Sequence, residues 1–220
     1  MNHNVNPSFF PAKEQAIQLQ GAVGNIQAIA ASPKSDAMNK TVVICHPHPL
    51  QEGTMHNKVV TTLHRTLQQL GLHTVRFNYR GVGESEGSFA EGIGETDDLV
   101  AVLDWVKQVR SDDELWLAGF SFGAYVAYRG ATVSPYAEQI KQLITVAPPM
   151  HYEGFQNLPE PQCPWIVLQG EDDEIVNANT VYSWIEDLQV EPTIIRFPET
   201  SHFFHGKLVE MKAKLLQSLK

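Results

Sequence analysis

The sequence predicts an α/β fold: a mostly parallel central sheet with an antiparallel N-terminal hairpin and helices on both faces. Three observations carry that expectation. Over residues 16–31, apolar and polar positions alternate about Gly24-Asn25, the period-two pattern of two half-buried strands joined as a hairpin. From Lys40 onward the period changes. Apolar runs of strand length begin at Thr41, His73, Glu114, Lys141, Trp165 and Thr193, each followed by a loop and a helix-like stretch, the alternation of a parallel sheet covered on both faces. Finally, the run at 114–118 meets a helix-compatible stretch at 124–131 through Gly119-Phe120-Ser121-Phe122-Gly123, a turn sharp enough to require glycine on both flanks.

Taken in order, the first residues are polar and carry Pro7 and Pro11, so 1–15 is expected to run extended ahead of a single domain over 16–220. Residues 32–39 are a turn-rich connection. A helix is expected over 57–70, with Val59, Val60, Leu63, Leu67 and Leu70 at helical spacing, and another over 95–109, with Leu99, Val102, Leu103 and Val106. Helices over 179–188 and 206–219 complete the set. No internal repeat, low-complexity tract or linker divides the chain.

At 220 residues the chain can bury about 70–75% of the surface its unfolded form exposes. It is acidic, with 25 Asp and Glu against 16 Lys and Arg and a formal net charge of -9. No basic stripe interrupts that surplus, so neither nucleic acid nor an anionic membrane is an expected partner. Cys45 and Cys163 are the only cysteines and make no disulfide framework. The start has no basic segment followed by an apolar one, and no apolar run approaches the ~20 residues of a membrane span. The expectation is a soluble, cytoplasmic protein.

A glycine-flanked serine between strand and helix is a nucleophile elbow. It holds the Ser121 hydroxyl above the sheet edge and leaves the Phe122 N–H at a helix N-terminus, free to donate to a developing oxyanion. A serine hydroxyl is a poor nucleophile at neutral pH. An imidazole must therefore take its proton, and a carboxylate must orient that imidazole. Sites in open parallel sheets form beyond the carboxyl ends of the strands, so the partners belong in the loops after later strands. After Trp165-Ile166-Val167-Leu168 comes the acidic loop Glu171-Asp172-Asp173-Glu174, and after Thr193-Ile194-Ile195-Arg196-Phe197 comes Ser201-His202-Phe203-Phe204.

These residues, in the order Ser, Asp, His, resemble the α/β-hydrolase superfamily, and the resemblance runs from about Ala16 to the C-terminus. Gly170-Glu171-Asp172-Asp173-Glu174-Ile175-Val176 is similar to the family's G-x-x-D-x-x-V acid loop, which implies Asp173 as the acid and its acidic neighbours as loop solvation. Ser201-His202-Phe203-Phe204 resembles the family's histidine loop and implies His202 as the base. His205 is its competitor, although it directly precedes Gly206 and the last helix. Residues 77–85 resemble the D-x-R-G-x-G-x-S turn, with Asn78 where the acid usually stands. More narrowly, Cys45-His46-Pro47-His48-Pro49-Leu50 and His202-Phe203-Phe204-His205 look like small bacterial hydrolases related to dienelactone hydrolase.

The second oxyanion donor is expected in the loop after the strand at Thr41. Pro47 and Pro49 lack an N–H, which leaves His48 or Leu50; if His46-Pro47 stands in for the family's His-Gly, the donor is His48. Only residues 148–164 separate the strand at 143–147 from Trp165, too few for a helical cap. The domain is therefore expected to be lidless, with a shallow cleft that Met150, Tyr152 and Phe155 line. Such a site suits small carboxylic esters, cleaved through an acyl-enzyme. The same triad serves thioesters and amides, and a catalytically silent binding protein of this fold is the non-enzyme alternative. His46/His48 and His202/His205 have ligand-like spacings, but a metal would leave the elbow unexplained and take His202 out of the triad. Gly81-Val82-Gly83 and Gly92-Ile93-Gly94 are turns, not dinucleotide fingerprints. No metal and no cofactor are expected.

Overall fold

Strands β1 (Gln15–Gln20) and β2 (Asn25–Ala31) form the hairpin expected over 16–31, turned where the Gly21 N–H donates to the Gly24 carbonyl at 2.8 Å. The structure, a computed structural model, describes residues 5–34, 36–152 and 154–219. Six further strands follow: β3 (Lys40–Cys45), β4 (His73–Phe77), β5 (Glu114–Phe120), β6 (Ile140–Val146), β7 (Trp165–Gly170) and β8 (Thr193–Phe197). Between and after them lie α1 (Lys58–Gln69), α2 (Ile93–Val109), α3 (Phe122–Thr132), α4 (Ala178–Glu186) and α5 (Leu208–Ser218).

All eight strands pair in one sheet, in the order β1-β2-β4-β3-β5-β6-β7-β8. β2 joins β4 antiparallel, and β4 to β8 are parallel throughout. The winding direction reverses between β3 and β5, and this reversal makes a crevice at their carboxyl ends. The predicted fold class is the observed one.

β3, β5 and β7 are buried on both faces along nearly all of their length, which is why each reads as a near-continuous apolar run. Val43, Cys45, Leu115 and Leu117 belong to the core shared with α2, α3 and α4, whereas Val42, Ile44, Trp116 and Phe120 belong to the core under α1 and α5. α1 and α4 start at Asn57 and Asn177, whose side chains accept from the Val59 N–H at 2.8 Å and the Thr180 N–H at 3.1 Å. α2 begins at Ile93, ahead of the expected 95, because the buried Glu95 carboxylate accepts from both Ala90 and Gly92 N–H groups and closes the first turn. α5 begins at Leu208, since Gly206, with φ 72°, belongs to the turn before it.

Of the segment expected to run extended over 1–15, residues 1–4 lie outside the described residues. Farther along, the segment is tied down. Trp105 Nε1 donates to the Pro7 carbonyl at 2.8 Å, Phe10 stacks on Trp105, and the Ser32 hydroxyl donates to the Pro11 carbonyl. Residues 147–164 between β6 and β7 hold one 3-10 turn, Phe155–Asn157, and no cap among the described residues. No described helix is long and apolar enough to cross a membrane.

Candidate active site

Ser121 follows β5 as the N-cap of α3, with φ 54° and ψ -123°, a conformation that costs a non-glycine residue of order 1–3 kcal/mol and persists only where its surroundings impose it. Here they do. The Ser121 N–H donates to the Val146 carbonyl at 2.8 Å, and its carbonyl accepts from the Ala124 N–H at 2.7 Å to start α3. The two flanking glycines are needed for different reasons. A Cβ on Gly119 would lie 2.0 Å from the Gly123 carbonyl oxygen, inside the elbow itself. A Cβ on Gly123 would strike the carbonyl oxygens of Cys45 and His46, at the end of neighbouring β3.

The loops after β7 and β8 bring their residues to this serine. His202 Nε2 lies 3.0 Å from Ser121 Oγ, and His202 Nδ1 lies 2.8 Å from Asp173 Oδ2. A carboxylate accepts only, so Nδ1 carries the proton and Nε2 is left as the acceptor facing the hydroxyl. Asp173 Oδ1 accepts from the Ile175 and Val176 N–H groups at 2.9 and 2.7 Å, and Gln169 Nε2 donates to Oδ2 at 3.3 Å. Asp173 and His202 are buried, while Asp172 is exposed. His205 is exposed and packs near the Phe203 ring, away from this hydrogen-bonded chain.

Three neighbours that sequence reasoning missed hold the histidine in place. The exposed Glu174 accepts the His202 backbone N–H at 3.1 Å. Phe120 and Phe203 flank the imidazole, with ring centroids 5.0 and 5.1 Å away. Gln169 had a legible signal: a polar residue closing the apolar run of β7.

On the other side of Ser121, no described group accepts from the Phe122 N–H or from the His48 N–H. The Leu50 N–H, by contrast, donates to His48 Nδ1 at 3.2 Å, and the Leu50 side chain is 71% exposed. The loop is anchored by His46. Its Nδ1 donates to the Pro47 carbonyl at 2.6 Å and its Nε2 accepts the Tyr79 N–H at 3.2 Å. Complete burial pushes the His46 pKa down to about 3, so the ring is neutral and both nitrogens are engaged. Among the described residues, no three His, Cys, Asp or Glu are placed to hold a metal ion. Burial also pushes the Cys45 thiol up to about 12, leaving it no nucleophilic thiolate.

Asn78 has its own logic. Its Oδ1 accepts from the Met55 N–H at 2.8 Å while its Nδ2 donates to Gln27 Oε1 at 2.7 Å. A carboxylate could not make the second bond. The following Arg80 forms a buried pair with Asp98, with Nη2 to Oδ1 at 2.8 Å, and so fixes the turn to α2.

The residues expected to line the cleft separate. Tyr152 is half-buried and borders a groove of about 560 Å³ with Phe89, Tyr125 and Arg129. Met150 is buried and borders a smaller cavity of about 170 Å³, not the groove. Phe155 lies wholly inside the core, against Tyr128 and Trp184, so its ring supports the wall from behind. Phe122, His48 and Phe89 continue the aromatic lining toward the serine, with His48 and Phe122 rings 5.0 Å apart.

Residues 36–160 match the family model described as Serine aminopeptidase, S33. The structure of an α/β serine hydrolase homologue from Coxiella burnetii is similar at a TM-score of 0.91 and 44% identity, covering 96% of this chain and 100% of that one. A lidless α/β serine hydrolase from Xanthomonas campestris is similar at a TM-score of 0.89 and 45% identity, covering 96% of this chain and 95% of that one. The lysophosphatidylserine lipase ABHD12 of Bos taurus is 31% identical over 133 residues, which are 58% of this chain and 33% of that protein. The matched region is thus about a third of that lipase.

Proposed function

Because this chain belongs to the α/β-hydrolase superfamily of serine hydrolases, we propose that it cleaves small carboxylic esters through Ser121, His202 and Asp173 by way of an acyl-enzyme. The observation that carries this reading is the continuous chain from Ser121 Oγ to His202 Nε2 (3.0 Å) and from His202 Nδ1 to Asp173 (2.8 Å), mounted on a strained elbow.

Ser121 Oγ attacks the ester carbonyl carbon as its proton passes to His202 Nε2, and the carbonyl electron pair moves onto oxygen. That oxyanion accepts from the Phe122 and His48 N–H groups; the engagement of the Leu50 N–H by His48 supports His48 as the second donor. Collapse of the intermediate breaks the bond to the alcohol oxygen, which takes the proton from His202, and the acyl group stays on Ser121. Water then attacks the acyl-enzyme with His202 as base, and the acid leaves. Asp173 stays ionised throughout and stabilises the imidazolium.

The test is a panel of p-nitrophenyl esters, thioesters and aryl amides run on the wild type and on Ser121→Ala. Ester turnover that vanishes in the variant is the expected result. A preference for thioester or amide would move the substrate class, and turnover retained by Ser121→Ala would overturn the reading.

A further inference from the structure

The groove of about 560 Å³ beside the elbow contains a group that the mechanism leaves unused. Arg129 lines it two helical turns beyond Ser121 on α3. Its guanidinium carbon lies 5.7 Å from the Tyr125 ring centroid, because a helical side chain leans back toward the N-terminus, here toward the serine. One donor is engaged, Nε to Thr96 Oγ1 at 3.2 Å. In this acidic chain Arg76, Arg80 and Arg110 are each paired with a carboxylate. No carboxylate of the described residues lies within ion-pair distance of Arg129. Glu91 is the one carboxylate among the described residues lining the groove, and it is exposed.

The mechanism also orients the substrate. His202 must hand its proton to the departing alcohol, so the alcohol lies on the His202 side, where Phe203 and His205 border a separate cavity of about 310 Å³. The larger groove is walled by Phe89, Tyr125 and Tyr152, whose rings pack against Phe122 beside the elbow, and it is left to the acyl group.

Building on the hydrolase reading above, we propose that this groove is an acyl subsite that selects acyl chains ending in a carboxylate. Phe89, Tyr125 and Tyr152 pack along the chain, and Arg129 holds its terminus. The substrates of this class are monoesters of dicarboxylic acids. A guanidinium presents paired donors that match a carboxylate, and the aromatic walls keep that contact from full hydration.

Two measurements test it. The first is kcat/KM for p-nitrophenyl monoesters of glutarate, adipate and suberate against their methyl-capped neutral counterparts. The wild type should prefer the free acid by about tenfold at the best chain length, and that ratio should collapse in Arg129→Gln. Arg129→Lys should retain part of it, keeping the charge without the fork, and Glu91→Gln should raise it by removing a like charge. The second is calorimetric titration of adipate into Ser121→Ala and into Ser121→Ala/Arg129→Gln, which needs no turnover. Affinity should fall about tenfold with the second substitution. Adipate that binds both proteins equally, or neither, overturns the subsite. Loss of the hydrolase reading would show separately, as turnover that survives Ser121→Ala.

Discussion

A Cβ on Gly123 would lie 2.2 Å from the carbonyl oxygen of Cys45, so the first turn of α3 rests directly against the end of β3. That contact brings the Phe122 N–H beside the loop at 46–50 and joins the serine strand to the loop that carries His48. Gly123→Ala should force the two apart. Overpacking of this kind costs about 1–3 kcal/mol, and backbone atoms cannot turn aside as a side chain can. We expect a melting temperature lower by several degrees and a larger fractional loss of kcat than of KM, read by thermal denaturation and steady-state kinetics. An alanine variant with unchanged stability and rate would show that the elbow tolerates a wider separation.

The hydrogen-bonded chain at the site predicts a graded series. A fluorophosphonate should label Ser121 alone, and Ser121→Ala should abolish both labelling and ester turnover with the fold intact. His202→Ala should lower kcat about 10³-fold or more and Asp173→Asn somewhat less, since losing the carboxylate leaves the imidazole in place but poorly oriented. Asp172→Asn should change little, because Asp172 is exposed and the carboxylate bonded to His202 is that of Asp173. A large loss at Asp172 with none at Asp173 would contradict the pairing of His202 with Asp173.

Among neutral acyl chains, length should matter only while methylenes remain inside the groove. Each one buried there is worth up to ~0.8 kcal/mol, or ~4-fold in kcat/KM. Activity should therefore rise from acetyl to about butyryl or hexanoyl and then level or fall. A continuous rise to palmitoyl esters, or a jump in rate at a lipid interface, would reveal an apolar trough that extends beyond the groove.

Acid should weaken the fold through His46. Its folded pKa, about 3, lies below the ordinary 6.5, so between those values the unfolded chain binds the extra proton. Stability is then fully present above pH 6.5 and is lost as the pH falls toward 3. His64, held at about 4 chiefly by burial and by the nearby Arg76 charge, acts with the same sign. Thermal melts from pH 7.5 to 4 should show Tm falling with acid. In His46→Gln the slope should be shallower, with the His64 share remaining. Parallel slopes for the two proteins would mean that His46 does not stay neutral in the fold.

The fold class was legible in the sequence because local rules and burial agree along most of the chain. Period-two alternation marked β1 and β2, apolar runs of strand length marked β3 to β8, and Gly119 and Gly123 marked a turn that only glycine can make. The start of α2 was misplaced because Glu95 works backward, capping N–H groups at Ala90 and Gly92 that precede it. At the site, chain order and loop pattern singled out Ser121, Asp173 and His202. They could not say that Asp173 would be chosen over Asp172 by two backbone N–H groups, or that Glu174 would hold the His202 N–H. The same holds for the cleft. Met150, Tyr152 and Phe155 are near neighbours in one loop, yet only Tyr152 borders the larger groove, and Phe89 and Arg129 arrive there from distant segments. Local pattern reports what a residue can do and which element it joins. Which side of a loop faces the serine depends on packing between segments far apart in the chain, and that is settled only when the tertiary structure closes.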